Sequence, residues 1–386
     1  MPGQLRAGAV VVDITPALGV ANGGVIARGG PVTRIHDELH ARCLMLDDGA
    51  IRLAIAICDM RMLGGDVVAR AKSLAGKATG LAPEYILIAA THTHAAPAIV
   101  GIHPEPRDRA YAEFVARRIA DGITRAGHHL APARVGWGFG SAPQHVHNRR
   151  WFMKPGAVVA NPFGGTSDKV KMNPPRGADL LEPVGLVDPQ VSVLDVRHAD
   201  GRPLALLANY GLHYVGGYQA GHVSADYFGL FANRVQDLLD ADPQHPPFVA
   251  MMSNGTSGDV SNNDFRTKPE RLPAWVKMQR VANDIAGEVA EVIEDIEHSD
   301  AATLAVAAIE LQLGVRRPDA ARLVWARRTL ANDTDPQRLT RPEIYAQEAL
   351  ALATFPPKVP VVLQAFRVGE LRIMTVPCEM FAETGL

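Results

Sequence analysis

The stretch Ile86-Leu87-Ile88-Ala89-Ala90-Thr91-His92-Thr93-His94 decides how this 386-residue chain reads. A β-forming apolar run ends abruptly in two histidines flanked by threonines. In a strand, residues two apart share a face, so His92 and His94 are expected to point the same way. Ala95, Ala96 and Pro97 then stop the strand and place the pair at its mouth. Neutral imidazole is a common zinc ligand, but two imidazoles do not fill a site.

Two other segments share this grammar. Residues 204–209 form an apolar run that leads to His213, and residues 371–377 lead to Glu379. Strand ends on one rim are where open α/β sheets build their sites. His92, His213 and Glu379 would give the two-histidine, one-carboxylate set that leaves a catalytic zinc one open position. Taken alone, His213 reads as a hydrogen-bonded residue after a strand, and Glu379 as a carboxylate answering a helix N-terminus. His36, His40, His145, His147 and His222 read as structural, and Asp37 and Glu38 as loop or cap residues.

The flanking chain reads as alternating elements. Strands are expected at 7–14, 39–46, 51–57, 133–140, 191–196, 204–210, 247–252, 303–313, 361–368 and 371–376. Asp47-Asp48-Gly49 is a hairpin turn between two of them. Helical spacing covers 66–77, 108–126, 228–239, 274–296, 317–330 and 342–353. Residues 19–30 are glycine-rich loop, and 142–183 read as a long loop without periodicity, of the kind that serves as a lid or pocket wall. The class is α/β, with mixed β-sheets covered by helices.

Composition narrows the function. A net charge of −2 offers no electrostatic case for nucleic acid. No apolar run reaches the roughly 18 residues of a membrane span. The N-terminal residues lack a signal-peptide core, so the chain reads as cytoplasmic as given, or secreted if a leader was trimmed. Three cysteines without CxxC spacing argue against a disulfide framework.

Residues 255–263, GTSGDVSNN, form the other unusual stretch. Asp259 stands where a nucleophile elbow needs its last glycine, and no Gly-Lys-Ser/Thr is present for a phosphate loop. The segment reads either as a serine- or Asx-stabilised turn or as donors to a developing oxyanion.

Together these motifs resemble the neutral ceramidases. Thr91-His92-Thr93-His94-Ala95-Ala96-Pro97 resembles their THTHSGP motif, and Gly258-Asp259-Val260-Ser261-Asn262-Asn263 their GDVSPN segment. Asn148-Arg149 resembles their NR element, Val187-Asp188-Pro189 a linker that follows it, and Val376-Pro377-Cys378-Glu379 their PGE, all in the same order. The resemblance implies a catalytic domain of that type over residues 1–386, ending early after the PGE-like segment and lacking the C-terminal immunoglobulin-like domain. It implies a zinc-dependent amidase that cleaves linear N-acyl C–N bonds other than peptide bonds, with one Zn²⁺ per chain held by His92, His213 and Glu379. His94 becomes the base that takes a proton from the activated water, and Arg149 and Ser261 the substrate contacts. The implied partner is a small or lipid-like N-acyl substrate, as in sphingolipid metabolism; oligomeric state stays open, a homo-oligomer included.

Three departures from the family pattern matter. Asn262 replaces the proline of GDVSPN, and Cys378 the glycine of PGE. The family's tyrosine ligand beyond PGE has no counterpart here: either the chain is shortened, or the metal keeps an extra water or recruits Tyr214 or Tyr218. The rival readings are a metallo-esterase or lactonase on the same site, a serine amidase using Ser261, and a non-catalytic binding protein of this fold.

Overall fold

The apolar runs become eight strands of one sheet. In this computed structural model, which describes residues 4–22, 30–97, 99–100, 107–158, 160–242, 244, 247–331 and 339–386, they are β1 (Arg6–Asp13), β2 (His40–Asp47), β3 (Arg52–Cys58), β4 (Ile86–Ala90), β5 (Ala131–Ser141), β6 (Gln190–His198), β7 (Pro203–Tyr210) and β8 (Val249–Asn254). Their spatial order is β8-β7-β6-β5-β1-β2-β3-β4. The outermost pairs, β7–β8 and β3–β4, are parallel, and the inner pairs are antiparallel.

The sheet folds on itself at its middle. β1 and β5 pair only through Arg6↔Pro132 and Ala7↔Ala131, and β8 returns against β2, β3 and β4. Two four-stranded halves therefore face each other. Ala7, Ala9, Leu53, Ile55, Ile57, Leu194, Val196, Val249 and Met251 fill the space between them. The alternate residues of the same strands face outward. Val10, Val12, Ala54, Ala56 and Cys58 pack on α1 (Gly65–Thr79) and α2 (Arg109–His128). Val191, Val193, Leu206 and Ala208 pack on α3 (Asp226–Leu238) and α4 (Val276–Glu294). Strands buried on both faces carry continuous apolar runs rather than alternation, which is how they read in the sequence.

Local chemistry sets the element ends. Asp108 caps α2 by accepting the Tyr111 N–H, and Gly80 closes α1 with φ 78°. A smaller antiparallel sheet, β9 (Leu304–Gly314), β10 (Lys358–Val368) and β11 (Leu371–Thr375), puts Leu304, Phe366 and Val368 into the inner core. Asp48, in the predicted hairpin turn, ties it down: its carboxylate accepts the N–H groups of Ala50, Ile51 and Leu304 at 2.9, 2.7 and 2.8 Å. Between β9 and β10 lie α5 (Ala320–Leu330) and α6 (Arg341–Ala353).

One expectation needs correction. Within 142–183 the structure forms a short three-stranded sheet from Arg150–Met153, Val170–Met172 and Leu180–Pro183. Strands of three or four residues are too short to display a period. Trp151 and Met153 nonetheless bury one face of it beside Phe265. Residues 23–29 of the glycine-rich loop lie outside the described residues.

The close seat of α2 on β1 depends on Gly8. A Cβ there would collide with the Ala126 carbonyl oxygen and come within 2.7 Å of the His129 carbonyl carbon, both backbone atoms. Gly8→Ala should lower unfolding free energy by about 3 kcal/mol or more in urea titration; an unchanged midpoint would show that the helix can shift without loss.

Candidate metal centre

Three chain segments converge at one end of the folded sheet. β4 ends at Ala90, and the next two amides pair with the segment after β3: Thr91 N–H to Cys58 O and His92 N–H to Met60 O, both at 2.9 Å. His92 then adopts φ 72°, in the left-handed region. The expectation that His92 and His94 share a strand face is thereby corrected. They lie beyond the strand, and the turn at His92 brings their Nε2 atoms to 3.1 Å of each other.

Main-chain carbonyls fix the tautomers. His92 Nδ1 lies 2.7 Å from Arg61 O, and His213 Nδ1 lies 3.1 Å from Ser257 O. A carbonyl only accepts, so each Nδ1 carries the hydrogen and each Nε2 keeps its lone pair. Burial, then Arg149 and His92, push His213 down to about 2; burial first also lowers His92. Both imidazoles are therefore neutral near pH 7, the form that binds metals. His94 is held flat against Tyr214, with ring centroids 3.8 Å apart.

One ring nitrogen from each of His92, His94 and His213 falls within 4.8 Å of the others, so the cluster could hold a metal ion. The donor set fits one. Two nitrogens on a tetrahedral zinc stand about 3.3 Å apart, and the 3.1 Å between His92 and His94 Nε2 would suit these two as co-ligands. The donor–carbonyl pairing behind the His92 and His213 rings is the arrangement that orients histidine ligands.

Glu379 arrives from the C-terminal segment. Its carboxylate lies 3.9 Å from His92 Nε2 and 3.7 Å from His213 Nδ1, and it accepts Arg149 Nη2 at 3.2 Å. The structure thus brings His92, His213 and Glu379 together, with Glu379 at the flank and His94 inside the histidine cluster. Glu379 precedes the short C-terminal helix (Ala382–Gly385) rather than starting it. Arg149 also donates from Nε and Nη2 to Gly258 O at 3.1 and 2.5 Å; its Nη1 makes no hydrogen bond to a described residue.

Ser261 pairs with His147 across a two-residue ladder, and its Oγ accepts the Asn263 N–H at 3.1 Å. No described histidine or carboxylate hydrogen-bonds that hydroxyl, so the serine-nucleophile reading finds no base there. Tyr218 lies 6.4 Å from Tyr214 between ring centroids, and its buried hydroxyl has no hydrogen-bond partner among the described residues.

Sequence reasoning missed the residues that hold these pieces in place. Asp259, fully buried, accepts Ala382 N–H at 3.0 Å and Asn148 Nδ2 at 3.1 Å, joining the 258–263 turn, the Arg149 segment and the C-terminal segment. Gly258 N–H donates to Met380 O at 2.8 Å, an approach that a Cβ on Gly258 would block. Asp226, also fully buried, accepts Val215 N–H and Gly216 N–H at 3.0 Å each and so clamps the segment after His213. The Ser-Gly-Asp cluster was the one legible signal among these.

No protein-family profile matches the chain, and no curated protein matches it. Solved structures do, and two of them are ceramidases. A crystal structure of neutral ceramidase from Pseudomonas aeruginosa matches at TM-score 0.67 and 18% identity, over 99% of this chain and 63% of that one. A ceramidase complexed with C2 matches at TM-score 0.70 and 18% identity, over 99% and 64%. The chain has a neutral-ceramidase-like fold and spans less than two thirds of the length of those chains.

Burial holds the Asp226 carboxyl at about 6, above its ordinary 3.8, although the N–H groups of Gly216, Tyr227 and Val215 pull the other way. A carboxyl raised on folding favours the folded state most at low pH, and that advantage is lost as pH rises from about 4 through 6. In urea unfolding, the stability of wild type minus that of Asp226→Asn should therefore be larger at pH 4.5 than at pH 7.5. A difference that is flat or reversed would show that the three donors keep this carboxyl ionised throughout.

Proposed function

We propose that the chain is a zinc-dependent hydrolase that cleaves an N-acyl amide, a linear C–N bond other than a peptide bond, in a small or lipid-like substrate. The observation that carries this reading is the pair of Nδ1–carbonyl hydrogen bonds, which leave Nε2 of His92 and of His213 free to bind, with the Glu379 carboxylate 3.9 Å from His92 Nε2 and 3.7 Å from His213 Nδ1. A metal ion is the partner such a set is built for. The ceramidase-like fold supports the choice of an amide as substrate.

His92, His213 and Glu379 are assigned to the zinc, which when bound supplies Lewis acidity and a water that ionises near neutral pH. His94 takes the proton of the attacking water at Nε2, with Tyr214 stacked behind its ring to hold the orientation. Arg149 is fixed by Gly258 O and Glu379, so its Nη1 can donate to the acyl oxygen as negative charge develops there. An amine is a poor leaving group, and His94 returns its proton to the departing nitrogen. Ser261 buttresses the 258–263 turn through Asn263, beside Arg149, and is assigned to the substrate wall.

Purified protein should carry about one zinc per chain and hydrolyse N-acyl amides, lose activity to phenanthroline and regain it with added zinc. His92→Ala and His213→Ala should lose both metal and turnover. His94→Ala should keep the metal while kcat falls about 10²- to 10⁴-fold. Loss of the metal from His94→Ala together with its retention in Glu379→Ala would instead make the three histidines the ligand set. Full turnover by metal-free protein would end the proposal.

A further inference from the structure

Beside the centre lies a pair of cations that the hydrolytic reading does not use. Lys277 Nζ and Arg176 Nη2 each donate to the same neutral oxygen, Asn263 Oδ1, at 3.1 Å. Lys277 Nζ also donates to Asn262 O at 2.8 Å. Both side chains are half-buried, and no described carboxylate forms an ion pair with either. The nearby acids are taken: Asp264 by Arg266 at 3.0 Å and Glu270 by Arg280. Burial first, and then the Arg176 guanidinium, hold the Lys277 ammonium below its ordinary value. Two neighbouring cations sharing one amide oxygen repel, and an oxyanion between them would relieve that repulsion with charge-assisted hydrogen bonds.

The pair is wired to the centre from two sides. Asn262 Nδ2 donates to Tyr214 O and Val215 O at 3.1 Å each, next to His213. Asn173 N–H donates to Arg149 O at 2.7 Å, three residues before Arg176. Asn262 is the residue that stands in place of the proline of GDVSPN. Its carbonyl accepts Lys277 and its amide grips the His213 segment, so this departure from the family pattern is the piece that joins the cations to the site. Lys277 also lies in the first turn of α4, where a cation opposes the helix dipole unless an anion is bound nearby.

We propose that Arg176 and Lys277 form an oxyanion subsite, so that the preferred substrate is an amide bearing a phosphate or carboxylate on the arm that reaches them. The substrate half of this proposal rests on the amide-hydrolase reading above; the anion site itself does not. The test uses N-octanoyl amides of aminoalkyl phosphates, of amino acids and of amino alcohols, each with short and long spacers. At one spacer length the wild type should prefer the phosphate or the carboxylate over the alcohol by about 10- to 100-fold in kcat/KM. Which of the two anions wins identifies the source of the charge.

Arg176→Gln and Lys277→Gln should erase that preference and leave kcat/KM for the alcohol within about twofold, while Lys277→Arg should retain it. Equal rates for anionic and neutral amides at every spacer, or an equal loss on both in the variants, would overturn the subsite and leave the hydrolase standing. Calorimetric binding of the aminoalkyl phosphate amide covers the converse. Binding by wild type but not by the two Gln variants, without turnover of any amide, would keep the subsite and remove the hydrolase. Wild type that neither binds nor prefers the anion refutes the proposal outright.

Discussion

The site depends on two hydrogen bonds that no side chain accepts. Arg61 O and Ser257 O take the Nδ1 protons of His92 and His213 and leave both Nε2 lone pairs directed away from the main chain. In a buried setting a neutral imidazole with a free lone pair is an unmet acceptor unless a donor or a cation lies before it. Two such lone pairs, with His94 Nε2 3.1 Å from that of His92 and a carboxylate at the flank, make a site that a metal can occupy.

The fold supplies those carbonyls by bending one sheet into two facing halves. β4, at one edge, leads to His92; β7, beside the opposite edge, leads to His213. In a flat eight-stranded sheet these residues would lie far apart. The thin β1–β5 pairing lets the halves close, and the apolar face between them, from Ala7 to Met251, holds the closure. Asp259 and Gly258 then dock the C-terminal segment, which places Glu379.

The strands and most helices were legible because burial on both sheet faces writes long apolar runs, and because caps such as Asp108 and Gly80 are local. The bend was not legible: nothing in β1 or β5 marks a pairing of two residues. The clustering of His92, His213 and Glu379 was legible through their shared place at strand ends and through the motifs that resemble those of the neutral ceramidases. The relation of His92 to His94 was misread because one left-handed residue breaks the two-residue period. The carbonyls of Arg61 and Ser257 carry no side-chain signature at all, so no reading of residue types could find them. Asp226 grips the main chain of Val215 and Gly216, and nothing in its sequence context marks that role; Asp259 stood out within its Ser-Gly-Asp cluster, but its partners Asn148 and Ala382 lie more than a hundred residues away and could not be read from it.

The most direct test of this account is anomalous diffraction across the zinc absorption edge from crystals of the zinc-loaded protein. The account predicts one peak about 2.1 Å from Nε2 of both His92 and His213, with Nδ1 of each still on its carbonyl. A peak elsewhere in the chain, or zinc-loaded crystals in which those two nitrogens remain uncoordinated, would contradict it.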